Sequence, residues 1–206
     1  MQYSRRAVLA FAAASLVTAA QAQGWPAKPV RLLVPFPAGG GTDLIAREVA
    51  NRITASGYTF VIENKPGSGG NLGVDAAAKA PPDGYTFVLG QTSNLAINPT
   101  LYAKLPYDPV KDLTPISLVA SSPMVIVTGA DSPYKTLADV VQAAKAKPGS
   151  INYATSGNGT VAHLAAESFQ KVAGIKLTHI PYKGASQGVT DVMSGQVQLY
   201  LSLIHI

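Results

Sequence analysis

The chain has 206 residues, 47% of them hydrophobic and 13% charged, enough to bury a core and far from the composition of a disordered chain. It contains no cysteine, which excludes a disulfide scaffold, a thiol nucleophile and any thiolate metal site. The formal charge of +5 is spread along the chain without a run of like charges or a basic stripe interleaved with aromatics, so nucleic acid is not an expected partner.

Met1 to Ala22 reads as an export signal. Arg5 and Arg6 open it, an apolar run follows from Ala7 to Ala20, and Ala20-Gln21-Ala22 supplies a small-residue cleavage site before Gln23. The run is shorter than the roughly 20 residues that span a bilayer and rich in weakly apolar Ala, so cleavage is expected rather than anchoring. Ser4-Arg5-Arg6 loosely resembles a twin-arginine signal, but Val8 stands where that pattern prefers Phe, and the export route stays open. The mature protein is expected in the periplasm, with no stable membrane insertion.

Val30 to Pro35 is a short β-branched apolar run that leads through Pro37 into Gly39-Gly40-Gly41. Ile45, Val49 and Ile53 recur at a spacing of four, so the order is strand, glycine turn, helix. Thr42 is placed to cap that helix and Asp43 to meet its positive end, with Gly57 closing it. Tyr58 to Glu63 alternates as a strand and enters the turn cluster Asn64 to Gly70. Val74 to Ala80 reads as a helix, Pro81 to Gly84 as a turn, Tyr85 to Leu89 as a strand, and Gln91 to Asn94 as a polar loop before the Asn98-Pro99 break.

Leu113 to Thr128 is nearly uncharged and suits an extended segment between domains. Leu137, Val140, Val141 and Ala144 predict an amphipathic helix stopped by Pro148-Gly149. Ile151 to Thr155 is a strand and Ser156 to Thr160 a glycine turn. Val161 to Val172 is a helix packing Ala165, Phe169 and Val172. Leu177 to Pro181, a helix over Ser186 to Met193 and a last strand from Gln196 complete the alternation. Strands and helices of these lengths predict parallel βαβ units and an α/β fold.

Two turns share G-x-G-T between a strand's carboxyl end and a helix's amino end: Gly39-Gly40-Gly41-Thr42 and Gly157-Asn158-Gly159-Thr160. Taken singly, each is a tight connection that only glycine allows. Repeated in both halves, they suggest two anion-binding helix ends facing one ligand. No Arg follows Arg52, so the second half offers no guanidinium fork. Its candidate contacts are the backbone N–H groups of Gly157 to Thr160, the hydroxyls of Ser156 and Thr160, and Lys183, a residue type usually left to solvent. Asp43 is awkward beside an anion. It suits helix-start stabilisation or an i,i+4 pair with Arg47, unless it orients a bridging water.

Other chemistries find less support. Gly157 to Ala162 fits G-x-G-x-x-A, but no carboxylate stands about twenty positions on, where a dinucleotide ribose would need one. Neither a P-loop nor a G-x-S-x-G elbow is present. His163, His179 and His205 share no metal-ligand spacing. His163, on a first helical turn, is a candidate donor to a ligand or a packing residue. A nucleophile, base and orienter cannot be assembled, so no catalytic residue, metal or cofactor is expected.

Several ordered motifs resemble the Bug family. They are Lys28 to Leu33 with Pro35-Phe36-Pro37-Ala38-Gly39-Gly40-Gly41-Thr42-Asp43; Glu63 to Asn71; Pro82-Asp83-Gly84-Tyr85-Thr86; Tyr153 to Gly157 through His163-Leu164-Ala165; and Pro181-Tyr182-Lys183-Gly184. Bug proteins are the extracytoplasmic, TctC-like solute receptors of tripartite tricarboxylate transporters, and the resemblance covers Trp25 to Tyr200. It implies an α/β fold of the periplasmic binding protein kind, with two βαβ domains around a hinge that closes as a Venus flytrap. It implies a non-enzymatic receptor that captures a small carboxylate and delivers it to the membrane subunits of a transporter. The ligand residues it implies are Ala38, Gly39, Gly40, Gly41, Thr42 and Asp43, with Ser156, Gly157, Asn158, Gly159, Thr160 and His163 opposite them. Thr92 and Ser93, at the end of the third strand, are further contacts. An exported α/β enzyme acting on a small anion and the ligand-binding partner of a sensor kinase are the alternative functions.

The resemblance divides the chain into residues 23–120, the first segment of one domain, and residues 121–200, part of a second. The family's return segment to the first domain is missing, so the fold is expected to be incomplete at the C-terminus. Residues 201–206 read as a non-native tail without function.

Overall fold

The computed structural model describes residues 24–203; the expected signal peptide and residues 204–206 lie outside them. The chain is α/β, with two sheets built from residues 30–88 and 124–203.

The first sheet holds β1 (Val30–Val34), β2 (Phe60–Asn64) and β3 (Thr86–Val88) in the order β2-β1-β3, all parallel. β1 lies in the middle, and four of its five residues are buried, as a central parallel strand covered on both faces requires. Helices α1 (Gly41–Thr54) and α2 (Asn71–Ala78) make the crossovers. Leu32 and Val34 pack on Ala46 of α1, with Phe60, Ile62, Phe87 and Leu89 around them. The buried stripe of α1 runs through Ala46 and Ala50, while Ile45, Val49 and Ile53 sit at its margins, only half-buried.

Beyond β3, the expected polar loop is helical. A π-helical turn over Ser93–Ile97 runs directly into α3 (Asn98–Leu101). Pro99 does not break this helix because it stands in its first turn, where no backbone N–H is needed. Residues 113–123 then run without regular structure and mostly exposed to the second sheet.

The second sheet contains β4 (Met124–Val127), β5 (Asn152–Thr155), β6 (Thr178–Pro181) and β7 (Leu199–Leu203) in the order β4-β7-β5-β6. β5 is parallel to both neighbours, as expected, but β4 pairs antiparallel with β7. The parallel rule holds for strands joined by a crossover helix, and β4 is separated from β7 by the whole βαβα succession. Leu201 to Leu203, part of the segment read as a non-native tail, form the end of β7, and Leu201 is buried.

Helices α4 (Leu137–Ala146), α5 (Val161–Ala173) and α6 (Ala185–Met193) cover this sheet on both faces. Tyr153 and Ala154, adjacent on β5, point to opposite sides. Tyr153 joins Val140, Ala144, Ala162, Ala166 and Leu199, whereas Ala154 joins Val192, Val197 and Tyr200. Thr136 and Asp139 form a capping box on α4, and Gly174 ends α5 in the left-handed conformation.

α5 departs from the pattern predicted for it. Val172 is 86% exposed, and Gln170 takes the buried position on the helix's inner stripe after Ala162 and Ala166. Gln170 Oε1 accepts from Leu177 N at 2.6 Å, and its Nε2 donates to Glu167 Oε1 at 2.9 Å. A buried backbone N–H needs this acceptor more than the helix needs a valine. Gln170→Ala is expected to cost about 1–3 kcal/mol by leaving the Leu177 N–H unpaired, read as a lower urea midpoint.

Candidate functional site

The loops at the carboxyl ends of the strands carry the site, and the β1–α1 turn shows how. After β1 the chain passes through exposed Ala38 and Gly39, the latter at φ +79°, and the helix starts at Gly41 with Gly40 as its N-cap. Thr42 is therefore not the cap. It lies buried inside the first turn, where its Oγ1 accepts from Gln91 Nε2 of the loop after β3. Gly40 has no side chain to offer the helix end, and the first intrahelical bond is Leu44 N to Gly40 O at 3.0 Å. The N–H groups of Gly41, Thr42 and Asp43 thus have no acceptor within the helix, the arrangement that suits an anion.

Asp43 holds this turn in shape. Its Oδ2 accepts from Gly39 N at 2.9 Å and Arg47 Nε at 2.8 Å, and its Oδ1 accepts from Asn64 Nδ2 at 2.8 Å. The i,i+4 pair with Arg47 is formed, with the Asp43 side chain 2% exposed. Burial opposes the Asp43 charge. The hydrogen bonds from Arg47, Gly39 and Asn64, together with the Arg47 charge, outweigh it and hold the carboxyl below its ordinary value. The Gly39 N–H is engaged by Asp43, which leaves the amides further into the helix for a ligand.

The loop after β3 carries the expected contacts Thr92 and Ser93 and adds Asn94, Asn98 and Tyr107, which the sequence motifs do not single out. Thr92 is exposed, whereas Ser93 is 1% exposed and its Oγ has no hydrogen-bond partner. Asn94 Oδ1 accepts from Gln91 N at 2.9 Å, and its Nδ2 has none. Asn98 Nδ2 donates to Asn71 Oδ1 at 2.6 Å, and its buried Oδ1 has no partner. Tyr107 OH closes this network on Asn94 O at 2.7 Å and Asn71 Oδ1 at 3.0 Å. Burial, and then the charges of Asp75 and Tyr102, push its phenol up to about 12. The readable signal is the i,i+4 spacing of Asn94 and Asn98, which puts two amides on one side of a helical turn.

The β5–α5 turn mirrors the first but caps itself. Thr160 is the N-cap, its Oγ1 accepting from His163 N at 3.3 Å and donating to Gly157 O at 2.7 Å. Gly157 N donates to Thr155 Oγ1 at 3.2 Å and Gly159 N to His163 Nδ1 at 3.4 Å, long bonds that a better acceptor can displace. Ser156 is half-buried and Asn158 exposed. His163 stacks on His179 with ring centroids 4.3 Å apart, and His179 stacks on Tyr153 at 4.8 Å. Tyr153 OH donates to Glu167 Oε1 at 2.6 Å, which lies 4.0 Å from His163 Nε2. His163 is thus built into a ring column behind the turn. Lys183, on the next turn, is exposed.

The loops of the two sheets meet. Tyr102 OH donates to Asn158 O at 3.4 Å, and a methyl built on Gly157 would lie 3.6 Å from Gly69 Cα. Pro37, before the first glycine turn, lies against Gly184, two residues after Tyr182, whose carbonyl adjoins Gly157. Both G-x-G-T turns and the network behind Ser93 therefore border one seam. Among the described residues, no group of three or more His, Cys, Asp or Glu comes together to hold a metal ion.

Residues 45–206 match the family model described as TctC, tripartite tricarboxylate transporter family receptor. The chain belongs to the TctC family. It is 36% identical over 205 residues to a UPF0065 protein of Pseudomonas sp. (strain P51), covering 97% of this chain and 61% of that one. The chain thus spans about three-fifths of the length of the curated relatives it matches. Among solved structures, Rpa4515 of R. palustris with adipate superposes with a TM-score of 0.84 at 36% identity, over 87% of this chain and 60% of that one. The periplasmic binding protein BugD superposes at 0.82 with 35% identity, over 87% and 60%. MatC of Rhodopseudomonas palustris with bound malate gives 0.80 and 29%, over 87% and 61%. The TctC family is one of receptors, and the α/β architecture described above is that of its periplasmic binding proteins.

Proposed function

We propose that this TctC family member is the ligand-capturing receptor of a tripartite tricarboxylate transporter. In this reading it is exported to the periplasm, takes up a small carboxylate between its two sheets and passes it unchanged to the membrane subunits. The observation that carries the reading is the first turn of α1. Three N–H groups without intrahelical acceptors, on a helix start with no side-chain cap, border a seam whose other side is the second G-x-G-T turn. A carboxylate suits that site because it brings acceptors and negative charge to a positive helix end. The adipate and malate bound by two similar structures are small carboxylates, which supports the same class here. In this proposal the ligand contacts are the backbone N–H groups of Gly41, Thr42 and Asp43 with Ser93 on one side, and Ser156 to Thr160 on the other. Asp43 and His163 shape their turns, and closure about residues 113–123 is driven by a ligand that bridges both sides.

The test is a thermal melt of the purified protein against mono-, di- and tricarboxylates, amino acids and aromatic acids. An acid at about a hundred times its dissociation constant is expected to add roughly 2.7 kcal/mol, a visible rise in midpoint. Recovery of that acid chemically unchanged distinguishes a receptor from an enzyme. A folded protein whose midpoint no acid moves would overturn the reading.

A further inference from the structure

At three glycines the loops of the two sheets come too close to leave room for a Cβ: Gly69, Gly159 and Gly184. A Cβ on Gly69 would lie 2.7 Å from Asn158 O, and one on Gly159 would strike Asn98 Oδ1 and lie 2.8 Å from Leu101 Cδ2. Both residues have φ in the left-handed region, +64° and +75°, so their own turns already call for glycine. Gly184 differs. Its φ of 177° is extended backbone open to any residue, yet it is buried. A Cβ there would collide with Pro37 Cδ and lie 2.6 Å from Cγ, while Pro37 Cβ would stand at an ordinary 3.5 Å. Local backbone geometry therefore gives no reason for a glycine at 184. The obstruction comes from the other sheet's loop, and from a ring that cannot swing aside as a flexible side chain would.

We propose that Gly184 is a positioning residue of the carboxylate clamp, bare so that the Pro37 ring can seat on its Cα and bring the two ligand turns to their working separation. Pro37 stands two residues before the first G-x-G-T turn, and Gly184 follows the Tyr182 carbonyl that adjoins Gly157 of the second. A displacement at this contact is passed to both turns at once. Neither residue touches the ligand in this scheme. This inference rests on the receptor reading above, and it predicts a coupling between two residues that the reading alone does not.

The experiment compares wild type, Gly184→Ala, Pro37→Ala and the double variant by small-angle X-ray scattering, and by titration with malate and adipate as probes. Gly184→Ala is expected to fold, to scatter as a more open particle than wild type, and to bind whichever probe wild type binds at least tenfold more weakly. The double variant, which lacks the Cδ and Cγ that clash, is expected to recover the wild-type envelope and most of the affinity. Any cost of alanine at the start of α6 persists in the double variant, so recovery separates the contact from a capping effect. Identical scattering for wild type and Gly184→Ala, or an open envelope that the double variant retains, would overturn the inference whether or not either acid binds. If wild type binds neither probe nor any acid of the wider panel, the receptor reading fails while the scattering still decides the contact.

Discussion

Asp43→Ala is expected to lower the stability of the chain by about 2–4 kcal/mol, with a fall in urea midpoint and little change in slope. The substitution removes the acceptor of the Gly39 N–H and of one Asn64 amide hydrogen, while Asn64 Nδ2 keeps its bond to Phe36 O at 3.0 Å, and it frees Arg47 to solvent. The Arg47 side chain is 48% exposed and Gly39 is exposed too, so both rehydrate cheaply, and the cost comes from the Asn64 amide hydrogen and from the released turn. Carboxylate affinity is expected to fall with it, because the Gly39 to Thr42 backbone is held by this residue rather than by a side-chain cap. Asp43→Asn, which keeps a neutral acceptor of the same shape, is expected to retain more of both. An Asp43→Ala protein with wild-type stability would show that the turn is fixed by its glycines and proline and not by the carboxylate.

The α/β architecture was legible because each signal involved is local. Period-four apolar spacing, β-branched runs and glycine or proline punctuation put most elements within a few residues of their positions. The two G-x-G-T turns were legible for the same reason, since a glycine pair between strand and helix has few uses. What stayed hidden depended on competition between groups distant in sequence. Thr42 reads as a cap until the extended backbone of Gly40 starts the helix earlier and Gln91 claims the threonine hydroxyl. Val172 reads as core until the unpaired Leu177 N–H draws Gln170 inward. Gln91 to Asn94 reads as a loop because its residues are polar and the Asn98-Pro99 pair follows. Only a partner such as Tyr107, which bonds Asn94 O and Asn71 Oδ1, makes a buried π-helical turn of such residues worthwhile. The contact of Gly184 with Pro37 has no sequence signature at all, because nothing near Gly184 in the chain asks for a glycine.

The second large effect concerns acid. Burial first, and then charge repulsion from the stacked His163, hold the His179 imidazole down at about 4, while Glu167 pulls weakly the other way. Its Nε2 sits 2.7 Å from Thr155 Oγ1, and Tyr153 covers its other face, so a proton gained there has little water to turn to. In the unfolded chain the same ring titrates near 6.5. The unfolded state therefore takes up the proton first as the pH falls, and the contribution of His179 is complete above 6.5 and lost progressively down to about 4. Allowing for partial solvent access to the half-buried ring, the loss is expected to be about 2 kcal/mol. Asp43 acts in a later window. Its folded value lies below the ordinary 3.8, so its contribution persists to that pH and disappears only as the pH falls through the lowered value. Urea midpoints measured between pH 7 and 4 are expected to decline in wild type and to stay nearly level in His179→Phe, which keeps the stacked ring but cannot titrate. A parallel decline in both proteins would assign the acid sensitivity to another group. A level wild type would mean that water reaches the His179 ring freely, and that the His163, His179 and Tyr153 column does not seal the back of the second glycine turn.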